Sequence, residues 1–246
     1  MPSTVLRRFG FAVCLALPLA AAPGAPGAAS TSDDAEFLFR LGLMEGHLMV
    51  GHELLDARQN AFALPHFGHP VRELYDDIRP WLRAHRVAPF DGQLVDLEAA
   101  VAKAPQGAET RAKYQAVLDT LRRAREAAPA ELRASVPAQI RICAETVEAA
   151  AGEYGEALNR GRIDGPVEYH DSRGYLSWVA QHLSGLEAGA APEERGLLAR
   201  FREVLARAQR IVAPLVPPQP PIAGVGEYRA IAKDARVVAD AAPAGR

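Results

Sequence analysis

The sequence predicts an all-α protein, an antiparallel bundle of about six to seven helices, on three observations. After residue 30, apolar residues recur at threes, fours and sevens, the period of a helix with one buried face. Runs of β-branched residues are few and aromatics make up only 7% of the chain, so strand signals are scarce. Breaks rich in proline and glycine separate the periodic stretches at the spacing of short interhelical connections.

A first helix is expected from Asp33-Asp34, whose acids favour a helix N-terminus, to about Arg58, with Phe37, Leu41, Met44, Leu48 and Leu55 on its apolar side. Gln59 to Gly68 reads as a loop. A second helix runs from Pro70, a residue suited to the first helical position, to about His85, and Pro80 is expected to kink or divide it. The loop of about ten residues makes these two helices antiparallel neighbours. Further amphipathic stretches cover Asp91–Lys103, Glu109–Ala127 and Glu131–Arg160, the last with a kink expected at Pro137. Two more span about Glu168–Leu186 and Pro192–Ala213. Pro217–Pro221 reads as an extended linker, and Gly226–Asp240 as a last short helix or a frayed tail. The domain reading is therefore a bundle over residues 30–214, followed by a proline-rich linker and C-terminal helix or tail over 215–246.

Residues 1–29 read as a signal peptide. Arg7-Arg8 form a basic start, Phe9–Ala22 are almost wholly apolar, and Ala25-Pro26-Gly27-Ala28-Ala29 supplies the small residues that signal peptidase accepts. The apolar run is shorter than the ~18 residues a membrane span needs. The expectation is an exported, periplasmic protein with no span in its mature part. Without Arg7 and Arg8 the net charge moves from −2 to −4, which argues against nucleic acid as a partner. One cysteine, Cys143, remains after the signal, so no internal disulfide is expected and the core must supply the stability.

The chemistry concentrates between Met44 and His69, which hold four of the seven histidines and two of the three methionines. Imidazole, thioether and carboxylate together suit a transition metal, with copper or iron ahead of zinc. At about 100° per residue, His47 falls near the middle of the first helix's apolar face, where an imidazole needs a partner or a ligand. Gly46 and Gly51 beside it each cost roughly 1 kcal/mol in a helix, which close helix packing or a bound ligand would offset. His52 falls with Glu45, Met49 and Asp56 on the opposite, more polar side, so His47 and His52 do not serve one ion.

His66 and His69, framed by Pro65 and Pro70, have a His-x-x-His spacing that places both rings on one side at a helix start. Glu73 and Asp76 continue a polar stripe from His69. A second polar centre, Glu168-Tyr169-His170-Asp171, leads into Tyr175, Trp178 and His182, which border an apolar face and are placed to line a pocket. The candidate metal ligands are thus His47, His52, His66, His69, Glu45, Glu73, Met44, Glu168, His170 and Asp171. The preferred core set is His47 with His66 or His69 and a partner from Glu168–Asp171. Cys143, mid-helix, reads as a buried inert thiol.

No His-Glu-x-x-His, Gly-x-Ser-x-Gly, phosphate-binding glycine loop, EF-hand or Cys-x-x-Cys-His motif is present, so the sequence offers no enzyme signature. Glu45-Gly46-His47 and Gly51-His52-Glu53-Leu54-Leu55 near the mature N-terminus, with Glu168-Tyr169-His170-Asp171 as a second centre, resemble the imelysin-like proteins, which include periplasmic components of iron uptake. That resemblance implies metal handling in the periplasm beside an envelope transport partner. The family's usual His-x-x-Glu spacing is absent, Glu73 following His69 by four. The other reading is a helical interaction or structural protein of the cell envelope, with core histidines and no ligand.

Overall fold

The protein's structure, a computed structural model, describes residues 31–242, so the signal read in residues 1–29 lies outside the described residues. Helix makes up 79% of the described residues and the architecture is all-α. In chain order the helices are α1 (Thr31–Asp56), α2 (Asn60–His69), a π-helical turn (Pro70–Leu74), α3 (Tyr75–Ala84), α4 (Asp91–Lys103), α5 (Ala108–Glu126), α6 (Ala130–Ala134), α7 (Val136–Ala157), α8 (Pro166–Glu187), α9 (Pro192–Ile211) and α10 (Val225–Asp240). Between α7 and α8, Leu158–Asn159 and Arg162–Ile163 pair as a two-residue hairpin. Its turn residues Arg160 and Gly161 have φ of 50° and 78°, the left-handed pair that a tight hairpin requires.

Three expectations change. The loop expected over Gln59–Gly68 is the helix α2, despite Pro65 within it and Gly68 near its end. Proline removes one backbone hydrogen bond, and burial of Ala63, His66 and Phe67 against α1 offsets that loss. The second helix does not begin afresh at Pro70. A single π turn carries α2 into α3, a wider register that relieves the clash of the Pro70 ring with the carbonyl four residues back. Pro80 lies inside α3 without ending it. The long helix expected over Glu131–Arg160 is divided at Ser135. The Ser135 side chain accepts from the Ala138 amide, and Pro137 falls in the first turn of α7, where its missing N–H costs nothing.

The core is built around α8, which packs against α7, α1 and α9, while α10 covers α7 and α9. α10 buries Tyr228, Ala235 and Ala239, so the C-terminal segment is a packed helix. The residues that lead from α9 into the proline-rich stretch, Val212 to Leu215, are fastened to α8. Tyr169 Oη donates to Pro214 O, His170 Nε2 to Leu215 O, and Arg173 to the Val212 and Ala213 carbonyls.

α1 runs antiparallel to the α2–α3 arm. Phe37 stacks on Trp81 at 3.5 Å near the start of α1, and Trp81 Nε1 donates to Asp34. Further along, a Cβ at Gly51 would lie 2.9 Å from Phe67, so glycine lets α2 approach. Among the described residues no helix is long and apolar enough to cross a membrane.

Candidate metal centre

The site sits where α1, α2 and α8 meet. α1 and α8 cross backbone to backbone. A Cβ at Gly174 would strike the Gly46 carbonyl oxygen, and one at Gly46 would lie 2.8 Å from the Tyr175 ring and 3.1 Å from the Tyr175 amide. This approach stands one residue from His47 and three from Asp171, and it brings their side chains together. The α2 histidines reach the same point because the Gly51 contact seats their helix against α1.

Asp171 is the hub. Its Oδ1 lies 2.6 Å from His47 Nδ1 and 2.7 Å from His66 Nδ1, and its Oδ2 lies 3.3 Å from His69 Nδ1. One donor atom from each of these four residues falls within 4.8 Å of all the others, a group able to hold a metal ion. Two of the three far nitrogens are also engaged. His47 Nε2 is 2.8 Å from Tyr175 Oη, and His69 Nε2 is 3.8 Å from a Glu73 oxygen. An imidazole that ligates through one nitrogen is commonly steadied through the other by such a phenol or carboxylate. Two atoms do not reach a hydrogen bond: His69 Nδ1, poorly aligned on Asp171, and His66 Nε2, both buried. A buried nitrogen without a partner costs roughly 1–3 kcal/mol, and its presence in a native core calls for an explanation such as an ion.

His47, His66 and Asp171 are almost fully buried, whereas the His69 side chain is 15% exposed, so the site meets solvent at His69. Burial alone would raise the Asp171 pKa. The charge and hydrogen bond of His47, with the hydrogen bond of His66 and the nearby His69 ring, instead hold it far below the usual carboxylate range. Asp171 is therefore an anion in the core. Burial lowers the pKa of His66 against the opposing pull of Asp171. At His69 burial also acts downward, but Asp171 and Glu73 outweigh it and the pKa rises. Desolvation pushes the Tyr175 phenol far up, which keeps it a neutral hydrogen-bonding group.

Of the residues singled out in the sequence, His47, His66, His69 and Asp171 come together, and Glu73 stands beside His69. The others do not join them. His52 lies on the far side of α1, half-exposed, 3.3 Å from Asp56 and stacked on Tyr114. Glu45 accepts from Arg125 and Trp178 Nε1, and Met44 is buried in the apolar core. Glu168 belongs to the first turn of α8, away from the four-residue group. His170 points to Leu215 O and packs edge-on to His66 at 5.8 Å.

The pocket expected along α8 divides. Asp171 and Tyr175 face the histidines, while Trp178 and His182 reach Glu45 and Gln139. Cys143 is buried and its thiol is pushed up by desolvation, as an inert core cysteine should be.

The sequence reading missed Gly174 and Glu153. Gly174 sits three residues after Asp171 on the same helix, the mark of a close crossing. Glu153, on α7, is pushed up to about 8 by burial and then by Asp171, Glu156, Glu73 and Glu168. The absence of any basic residue three or four positions from Glu153 was the available clue.

No protein-family model, curated protein or solved structure matches this chain.

Proposed function

We propose that the protein is an exported, periplasmic metal-handling protein that binds one transition-metal ion through His47, His66, His69 and Asp171 and performs no catalysis on it. The observation that carries this reading is the convergence of three Nδ1 atoms on one buried carboxylate, with Tyr175 and Glu73 behind two of the rings. Separations of 2.6 and 2.7 Å are those of hydrogen bonds. Donors sharing a tetrahedral ion at about 2.0–2.1 Å stand roughly 3.3 Å apart. Imidazole N–H groups thus occupy the place of the ion; on binding, a neutral ring moves its proton to Nε2 and a protonated ring releases one to solvent, as the donors spread slightly. Nitrogen and oxygen donors suit iron, copper or zinc in their divalent states.

The periplasmic setting is supported by the leader-like residues 1–29, and a role in uptake alongside an envelope transporter by the likeness of the Gly-His segments to the imelysin-like proteins. The second reading is a structural or interaction protein of the envelope. It is favoured by His47, whose two ring nitrogens are both hydrogen-bonded, as a core histidine without a ligand would be.

Isothermal titration of the protein with Fe²⁺ (anaerobically), Cu²⁺ and Zn²⁺ separates the two. The metal reading expects one ion per chain bound more tightly than about 100 μM, roughly −5.5 kcal/mol, with proton release. No binding at that level for any of the three ions supports the structural reading.

A further inference from the structure

The four-residue group has one side open to water, and that side is built differently from the rest. His69 is the only one of the four whose side chain is more than a few per cent exposed, at 15% against 4% or less. Glu73, 55% exposed, hangs over it with a carboxylate oxygen 3.8 Å from His69 Nε2. The π turn at Pro70–Leu74 joins the two residues, so the ligand and the exposed acid belong to the same irregular segment. The nearest basic side chain on that segment, Arg72, pairs with Glu98 by bonds of 2.8 and 3.0 Å, while its charge still acts on His69 against that of Glu73.

We infer that Glu73 is the entry residue for the ion: it draws a divalent cation to the exposed edge of His69 and sets the rate of loading while contributing little to final affinity. The inference rests on the metal reading above. His69 is the natural first ligand, because it alone of the three imidazoles reaches solvent, and its Nε2 faces Glu73. The ion then exchanges into the buried donors as the Nδ1 protons move to Nε2 or, from a protonated ring, to solvent. A carboxylate that only steadied His69 from behind would act differently, because its loss would shorten the residence of the bound ion.

The experiment is stopped-flow mixing of the protein with Co²⁺, followed by the visible bands of the bound ion, on the parent protein, Glu73→Gln and the distant control Glu109→Gln. One carboxylate attracting a divalent ion from about 7 Å at water's dielectric is worth about sevenfold in rate. The expected result is an association rate about five- to tenfold slower in Glu73→Gln, dissociation slowed to match, and Kd within about twofold of the parent. The difference should shrink as ionic strength rises from about 0.05 to about 0.5 M, and Glu109→Gln should behave as the parent. An unchanged association rate with faster dissociation overturns the entry role and leaves the metal reading standing. A parent protein that gives no Co²⁺ signal, and no binding in the titrations above, overturns both.

Discussion

Replacing Asp171 by Asn separates a metal centre from a hydrogen-bonded core more sharply than any other single change. The carboxylate takes Nδ1 of both His47 and His66 on one oxygen, at 2.6 and 2.7 Å, and offers the other to His69. Asparagine keeps an oxygen for the first two rings, so two charge-assisted bonds become neutral ones at a cost of about 1–2 kcal/mol. Relief from burying an anion offsets part of that. The fold should therefore survive with a modest loss of stability.

Metal affinity should respond much more strongly. If a four-donor site is worth roughly 10–16 kcal/mol, each donor contributes about 3 kcal/mol, or about a hundredfold in Kd. Competition for Zn²⁺ against a chromophoric chelator reads the affinity, and chemical denaturation with and without Zn²⁺ reads the linkage. Asp171→Asn should unfold nearly as the parent does without metal, and should lose most of the metal-dependent rise in its midpoint. A variant that keeps parental affinity and the full rise would show that the ion does not sit on Asp171, and the site argued from this geometry would be wrong.

Tyr175→Phe removes the hydroxyl 2.8 Å from His47 Nε2, and should weaken metal binding by about 10- to 100-fold while costing about 1 kcal/mol of stability; an unchanged Kd would place the phenol outside the metal's influence. Gly174→Ala drives a methyl group into the Gly46 backbone and should destabilise by about 1–3 kcal/mol, whereas Gly185→Ala on the same helix, with open space around it, should be neutral or slightly stabilising; urea unfolding of both tests the crossing. His182, lowered to about 4 by burial and then by the Arg125 charge, is neutral in the folded protein at pH values where the unfolded chain binds a proton. Its contribution to stability is complete above the unfolded pKa near 6.5 and is lost as pH falls toward 4, by roughly 3 kcal/mol in all. That part of the acid slope should vanish in His182→Asn, and persistence of the whole slope would assign it to other groups.

The helical class was legible because amphipathic periodicity carries across each segment whatever its partners are. The same local reading failed at prolines and glycines, whose effect depends on what lies beside them. Pro65 and Gly68 look like loop residues until the burial of His66 and Phe67 against α1 is known, and that burial is a tertiary fact. Pro137 looks like a kink until Ser135 caps α7 and moves it to the first turn.

The site followed the same division. His47 on an apolar face and the His66–His69 spacing were visible along the chain, as was the need for a partner from Glu168–Asp171. Which of Glu168, His170 and Asp171 turns inward depends on the rotation of α8. The Gly174–Gly46 crossing fixes that rotation, directing Asp171 to the histidines and His170 to the Leu215 carbonyl.

The glycines at that crossing also bear on why a costly arrangement persists. Gly46 and Gly174 each weaken their own helix by roughly 1 kcal/mol relative to alanine. Asp171 places a charge in the core, and His66 and His69 each leave a buried nitrogen without a partner. Close packing of α1 on α8 offsets the glycines, but it does not require a carboxylate or three imidazoles at the junction. Apolar side chains of similar volume would hold two helices together at least as well. An ion that engages His69 Nδ1 together with the other three donors accounts for the charge, the orphaned His69 nitrogen and the outer contacts of Tyr175 and Glu73, though not for His66 Nε2. The structural reading accounts for His47 and for the bond of His66 to Asp171, and leaves the His69 nitrogen without a reason.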